Sequence, residues 1–360
     1  MKILIVTNSS SGLYNFRRDL IKELIKQSNI IEVITLNDGY IDELKELGCN
    51  LYILKMDRRG KKIISELKLL FKYKNFIKKI NPDKIVSYTI KPNIYCGLIT
   101  RALGIDFYPN ITGLGTAFQK EGYFKKFIIF MYKISFKKAK KVFFENQNNK
   151  EIFLKEKISK NENSISLNGA GVNINYFEFG KLPNFETINF LFMGRIMKEK
   201  GVEELFEAIK YIKGKYKKTR FVILGSLEED YETYISNLNK ENILEYYGEV
   251  KDVRPYIKES HCILLPSYHE GMSNTLLEGA AMGRALITSD IPGCREAVID
   301  NKNGFLHRVK DSKDLEYKIE KFINLSNQEK INFGKKSREI VEINFDKKLV
   351  VNKTINNIFN

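Results

Sequence analysis

Residues 262–278 read Cys262-Ile263-Leu264-Leu265-Pro266-Ser267-Tyr268-His269-Glu270-Gly271-Met272-Ser273-Asn274-Thr275-Leu276-Leu277-Glu278. The four opening residues are an apolar run of strand length, and Pro266-Ser267 closes it. A loop carrying Glu270 and Gly271 follows, and Ser273 or Asn274 can cap a helix running to about Met282. The unit is therefore strand, loop, helix, half of a parallel βαβ crossover. Glu270 sits on the loop and Glu278 a little over one turn into the helix. A carboxylate accepts hydrogen bonds from paired hydroxyls, so two so placed can hold two parts of one polyhydroxylated ligand. Gly271 allows the backbone close to it. Taken singly, each glutamate reads better as a solvated surface charge, and only the two together at this spacing favour a ligand site.

The same alternation runs outward in both directions. Upstream, residues 190–193 form a strand, and a helix is expected from about Gly201 to Lys213. Residues 221–224 form a strand ended by Gly225-Ser226, and downstream residues 285–289 form another, ended by Asp290-Ile291-Pro292-Gly293. The first half repeats it: strands at 3–7, 31–36, 51–54 and 84–88, helices at 16–27 and 41–47, and loops at 8–13, 88–93 and 112–116. Strands alternating with helices imply parallel sheets. Gly, Asn and Pro cluster at 169–183, the expected linker. The fold class is thus α/β, two Rossmann-like domains, 1–175 and 176–340, with a C-terminal helix at 341–360 placed to pack back on the first domain. Ligands of doubly wound sheets sit beyond the carboxyl ends of the strands, where these loops lie.

A chain of 360 residues with 43% hydrophobic and 29% charged content can bury two ordinary cores. Cys49, Cys96, Cys262 and Cys294 stand far apart with no metal-site spacing, so reduced thiols in a cytoplasmic setting are expected. Only three histidines occur, and no metal is expected. The start lacks a signal-peptide pattern, and no run is long enough to cross a bilayer. The net charge of +16 is lopsided: residues 1–180 hold 31 basic and 17 acidic side chains, residues 181–360 hold 29 and 27. The excess gathers in residues 55–79, ten basic against two acidic, and 120–141, eight against one. Such a half suits an anionic partner: nucleic acid, anionic lipid or a phosphorylated substrate. In 120–141, helical spacing puts Phe124, Phe127, Ile128, Met131 and Ile134 near one stripe, either packed or turned to a membrane surface.

A second charged loop is Gly194-Arg195-Ile196-Met197-Lys198-Glu199-Lys200-Gly201. Arg195 leaves a strand end and Lys200 opens a helix. Free N–H groups, an Arg fork and a Lys point charge together suit a diphosphate, without a metal.

Here the second half resembles the C-terminal domain of the retaining GT-B glycosyltransferases of family 4. The resemblance rests on Gly-Arg-x4-Lys-Gly at 194–201, Leu-Pro-Ser-x2-Glu-Gly at 265–271 with Glu270 and Glu278, and Ile-Pro-Gly-x2-Glu at 291–296 followed by Asn-Gly-Phe-Leu at 303–306. The first half is similar to the matching domain of bacterial capsule, O-antigen and lipid-linked oligosaccharide sugar transferases, through residues 88–95, 110–115, 143–146 and 168–173. The resemblance implies a GT-B fold with a cleft between its domains, a nucleotide-sugar donor, more readily UDP than GDP, and a polyisoprenyl-diphosphate-linked or other glycan acceptor. It implies that Arg195 and Lys200 hold the diphosphate and that Glu278 accepts from the ribose hydroxyls. Glu270 would contact the donor sugar, beside the backbone of Gly271, Met272, Ser273 and Asn274. Gly12 would let the first loop approach the phosphates, and Gly225 with Val250 would line the base pocket. Many members carry a His where this chain has Tyr88-Thr89-Ile90-Lys91, so Thr89, Lys91 or Asn93 would line the acceptor side instead. A membrane face, and no nucleic acid, completes the expected partners. Two other readings compete: an isomerase like the UDP-N-acetylglucosamine 2-epimerases, which share the two-Rossmann architecture, and a nucleic-acid-binding protein, which the charge alone suggests.

Overall fold

The computed structural model describes residues 1–54, 63–115, 118 and 122–360. The chain divides into two compact units, Met1–Ala170 with Leu349–Asn360, and Gly171–Lys348.

In the first unit, β1 (Lys2–Val6), α1 (Ser10–Lys26), β2 (Ile30–Thr35), α2 (Ile41–Glu46), β3 (Asn50–Ile53), α3 (Ile63–Ile80) and β4 (Lys84–Tyr88) follow in order. Next come α4 (Ile90–Leu103), β5 (Asp106–Ile111), α5 (Tyr123–Ser135), β6 (Val142–Phe144), α6 (Gln147–Lys155) and β7 (Ser164–Ser166). The seven strands lie in the order β3-β2-β1-β4-β5-β6-β7, and all pairs are parallel. Parallel strands are covered on both faces, which is why Ile3, Leu4, Ile5 and Val6 are an unbroken apolar run with every side chain buried. Leu69, Tyr73 and Ile77 of α3, Ile94 and Ile99 of α4, and Ile129 and Tyr132 of α5 share one core. The other core takes Leu13, Leu20 and Leu24 of α1.

Residues 8–13, expected as a loop, are mostly the first turn of α1. Ser9 is its N-cap and accepts from Gly12 N at 2.9 Å. The Asp38 carboxylate lies over the same turn, 2.7 Å from Ser10 Oγ and 2.9 Å from Ser11 N. An anion at the positive end of the helix stabilises that early start.

In the second unit, β8 (Ile188–Met193), α7 (Val202–Lys215), β9 (Thr219–Leu224), α8 (Glu232–Lys240), β10 (Glu245–Tyr246), α9 (Arg254–Lys258) and β11 (Cys262–Leu265) lead to α10 (Asn274–Ala281). Then come β12 (Ala285–Ser289), β13 (Gly304–His307), α11 (Ser312–Ile323) and α12 (Asn327–Asn344). The order β10-β9-β8-β11-β12-β13 is again wholly parallel. In both sheets the strand order reverses once, between β1 and β4 and between β8 and β11. That reversal opens a crevice at the carboxyl ends.

The division falls between Ala170 and Gly171, a little before the expected 175/176 boundary, because two arginines strap the following segment to the second unit. Arg338 Nη1 donates to the carbonyls of Ile174 and Phe177, and the fully buried Arg284 to those of Gly180 and Lys181. Burial pulls the Arg284 guanidinium down to about 10, with the Glu259 carboxylate opposing that shift. At the far end the expected single helix at 341–360 is two: α12 ends at Asn344 and α13 (Lys347–Phe359) begins after a short turn. Val350, Val351, Ile355 and Ile358 of α13 are buried with Leu20 and Leu24 of α1 in the first unit.

Candidate functional site

The reversal between β8 and β11 places two loops side by side in the second unit. The loop after β8 carries Arg195 and Lys200. The loop after β11 carries Glu270. Lys200 Nζ lies 2.5 Å from Glu270 Oε1, and both side chains are largely buried. Ser267 Oγ donates to the same oxygen at 2.8 Å. Two residues seventy positions apart thus form one charged centre at the carboxyl end of the sheet.

Glycines bring these loops together. Gly201 has φ +69°, and a Cβ there would stand 2.0 Å from the Pro266 carbonyl oxygen. Tyr268 N also donates to Glu199 O at 2.9 Å, knitting the two backbones. Gly225, after β9, has φ +141°, and a Cβ there would stand 1.8 Å from the Gly194 carbonyl oxygen. The third loop therefore presses on the first, as only a residue without Cβ permits. Gly225 N donates to Gly248 O, and Tyr246 Oη to Gly225 O, both at 2.8 Å. Val250 follows, half-buried against the core.

Helix α10 begins where expected. Ser273 is the N-cap and accepts from Leu276 N at 3.3 Å. Thr275 Oγ1 donates to Met193 O at 3.0 Å, fixing the start of α10 over the end of β8. Ser273 N donates to Gly293 O at 2.8 Å, so that N–H is committed within the fold. Met272 is buried in the core, while Asn274 and Glu278 are half-buried on the first turns of α10. Arg195 is exposed and meets no carboxylate among the described residues. Behind the pair, burial pushes the Cys294 thiol up, and the Glu270 carboxylate pushes it the same way. Among the described residues no three His, Cys, Asp or Glu side chains gather as a metal site would require. A cavity of about 170 Å³ lined by Phe190, Val222 and Tyr256 lies at the opposite, amino-terminal end of this sheet.

In the first unit the reversal lies between β1 and β4. Gly12 sits in the first turn of α1, where Asp38 holds the serine hydroxyls. Thr89 follows β4 with φ +72°, a conformation that costs a threonine on the order of 1–3 kcal/mol. Its hydroxyl and that of Tyr88 are buried without a partner among the described residues. Lys91 Nζ is 2.9 Å from Glu66 Oε1. Asn93 is buried: its Oδ1 accepts from Ser87 Oγ at 2.6 Å and its Nδ2 donates to Asn110 O at 2.8 Å. Its amide thus braces β4 against β5.

Three features here were not anticipated. Asp38 meets its serines only through the fold. Arg17 pairs with Glu145 inside the unit, and its guanidinium lies 4.8 Å from the centre of the Tyr88 ring. Thr275 ties α10 to β8. The second had a signal in the sequence: Glu145 follows directly on the apolar Val142-Phe143-Phe144, and a carboxylate at the end of a buried strand requires a cation.

Residues 2–146 match the family described as glycosyl transferase 4-like, and residues 177–340 that of glycosyl transferases group 1. The chain belongs to the glycosyltransferases. Its two Rossmann-like units are those of the GT-B fold. One relative is the N,N'-diacetylbacillosaminyl-diphospho-undecaprenol alpha-1,3-N-acetylgalactosaminyltransferase of Campylobacter jejuni, 27% identical over 89% of this chain and 88% of that protein. Another is the UDP-Gal:alpha-D-GlcNAc-diphosphoundecaprenol alpha-1,3-galactosyltransferase of Escherichia coli, 27% identical over 82% of this chain and 78% of that one. Among solved structures, a glycosyltransferase from Rickettsia africae shares the fold with a TM-score of 0.80 at 22% identity, covering 99% of this chain and 97% of that one. These likenesses displace the isomerase and nucleic-acid readings.

Proposed function

We propose that this glycosyltransferase moves a hexose or N-acetylhexosamine from a UDP-linked donor to a polyisoprenyl-diphosphate-linked saccharide, with retention at the anomeric carbon. The observation that carries the donor site is the Lys200–Glu270 pair at the β8/β11 reversal, with Arg195 on the same loop as Lys200. The relatives named above support the substrate classes: one name states a UDP-linked galactose, and both state an undecaprenol-diphosphate acceptor.

In this reading Arg195 and Lys200 neutralise the diphosphate, so no metal is needed. Glu270, oriented by Lys200 and Ser267, accepts from donor-sugar hydroxyls, and Glu278 from the ribose. Gly12 and Gly225 admit the phosphates and base, Val250 backs the base, and Met272 to Asn274 shape the backbone around the sugar. The acceptor oxygen bonds to the anomeric carbon as the bond to the β-phosphate breaks. Its proton passes to the departing phosphate. The protein contributes positioning and a fixed positive field for the oxocarbenium-like state and its leaving group. Thr89 and Lys91 line the acceptor side, braced by Asn93. Such an acceptor is anchored in a bilayer, so the enzyme works at the cytoplasmic face of a membrane.

A panel of nucleotide sugars tests this by thermal shift and then by hydrolysis in EDTA. UDP-sugars should raise the Tm and release UDP slowly, and the lipid-linked acceptor should accelerate that release. Stabilisation by another nucleotide, or activity only with added divalent metal, overturns the donor reading.

A further inference from the structure

Helix α5 is apolar on two sides. Ile129 and Tyr132 face inward, in the core with Phe136 and Phe153. Ile128 and Met131 also pack on that core, so the stripe read from the sequence is divided between two faces. The outward face is aromatic: Tyr123 is 92% exposed, Phe127 55% and Phe130 58%. Helix α3 repeats the arrangement. Leu69, Tyr73 and Ile77 turn into the same core, while Phe71 is 60% exposed and Leu67 52%. Two helices that share one core cover the same face of the sheet, so their outward sides face the same way. Scattered exposed apolar side chains need no explanation, but two helices with large apolar residues at i, i+4 or i, i+4, i+7 spacing on one side do.

Charge narrows the choice of partner. Lys126 and Lys133 flank the aromatic face of α5, and Lys74 and Lys78 continue the line of Leu67 and Phe71 on α3; all four are exposed. Helix α5 carries no carboxylate. The one on α3, Glu66, is held by Lys91 at 2.9 Å and by the Tyr95 hydroxyl. The outward faces are therefore aromatic and cationic. A second copy set face to face would bring lysine against lysine. A bilayer with anionic headgroups offers acyl chains to the rings and phosphates to the ammonium groups.

We propose that the outward faces of α3 and α5 are the surface by which the first unit docks on an anionic bilayer. This deepens the lipid-linked-acceptor reading, and it rests on that reading only for placing the reaction at a membrane.

The test uses the full chain and vesicles without acceptor: phosphatidylcholine alone, and phosphatidylcholine with phosphatidylglycerol, read by flotation. The wild type should float with the mixed vesicles and much less with the neutral ones. Phe127→Ser with Phe130→Ser should lower its partition coefficient about tenfold or more. Lys126→Glu with Lys133→Glu should abolish the preference for phosphatidylglycerol. Hydrolysis of UDP-sugar without vesicles should be unchanged in both variants, which also shows that each is folded. Failure of the wild type to float, or undiminished flotation of both variants, overturns the proposal. So does a wild-type dimer in sedimentation that the serine variant dissociates. Flotation without transfer to a lipid-linked acceptor would leave this surface standing and overturn the acceptor reading instead.

Discussion

Lys200 Nζ and Glu270 Oε1 are 2.5 Å apart, and Ser267 Oγ adds a bond of 2.8 Å to the same carboxylate oxygen. In the proposed donor site the pair would join a phosphate-facing cation to a sugar-facing anion, and the contact lets each residue set the other's position. Removing Glu270 should act on catalysis more than on folding. Glu270→Ala is expected to lower kcat for UDP-sugar turnover by about 100-fold, and Lys200→Ala by a similar factor. The double variant should fall far short of the product of the two losses, because the residues act as a unit. Steady-state kinetics with a denaturation curve for each variant checks this. A fall in stability with unchanged kcat would make the pair structural only.

The approach of the β8 loop to the β11 loop depends on Gly201. A Cβ at that position would stand 2.0 Å from the Pro266 carbonyl oxygen, at a φ of +69° that side chains resist. Gly201→Ala should force the loops apart and carry Lys200 away from Glu270. The expected cost is on the order of 1–3 kcal/mol of stability, and a loss of turnover beyond what that stability change accounts for. Circular dichroism and turnover, measured together, decide it.

The strand–loop–helix units were legible because buried parallel strands leave short apolar runs with Pro or Gly at their ends, as at Pro266 and Gly225. Pairings across the fold were not. Asp38 meets Ser10 and Ser11 over nearly thirty residues, and no local pattern marks it. Periodicity also misled at α5. Its apolar residues are frequent enough to satisfy a single stripe, yet Phe127 and Ile129 point to opposite sides. Spacing shows which residues share a face but not which face is inside. The basic segments at 55–79 and 120–141 extend beyond the described residues at 55–62 and at 120–121.

His261 is fully buried before β11, and its Nδ1 accepts from Asn189 N at 3.0 Å. Burial pulls its pKa down to about 4, below the ordinary value near 6.5. Between those values the unfolded chain binds a proton that the folded chain does not. Stability is therefore full above pH 6.5 and declines as pH falls towards 4, by up to ~3 kcal/mol. Equilibrium urea unfolding across this range should show the decline. In His261→Gln, which keeps an acceptor but does not titrate, that contribution should vanish and the profile flatten.

Arg17 and Glu145 form an ion pair with both side chains 8% exposed, and the Arg17 guanidinium covers the Tyr88 ring. So little exposure leaves the pair poorly screened by water. Arg17→Met keeps much of the side-chain volume and removes the guanidinium that faces the buried carboxylate. Breaking such a pair costs about 3–5 kcal/mol. Adding Glu145→Gln removes the buried carboxylate charge and should recover a large part of that loss, which urea unfolding of the single and double variants would measure. Because Tyr88 immediately precedes the strained Thr89, the single variant should also weaken turnover with a lipid-linked acceptor. Slow hydrolysis of the donor, whose proposed site does not include Tyr88 or Thr89, should be spared. If hydrolysis and transfer fall together, the Arg17–Glu145 pair serves the whole fold and not the acceptor side.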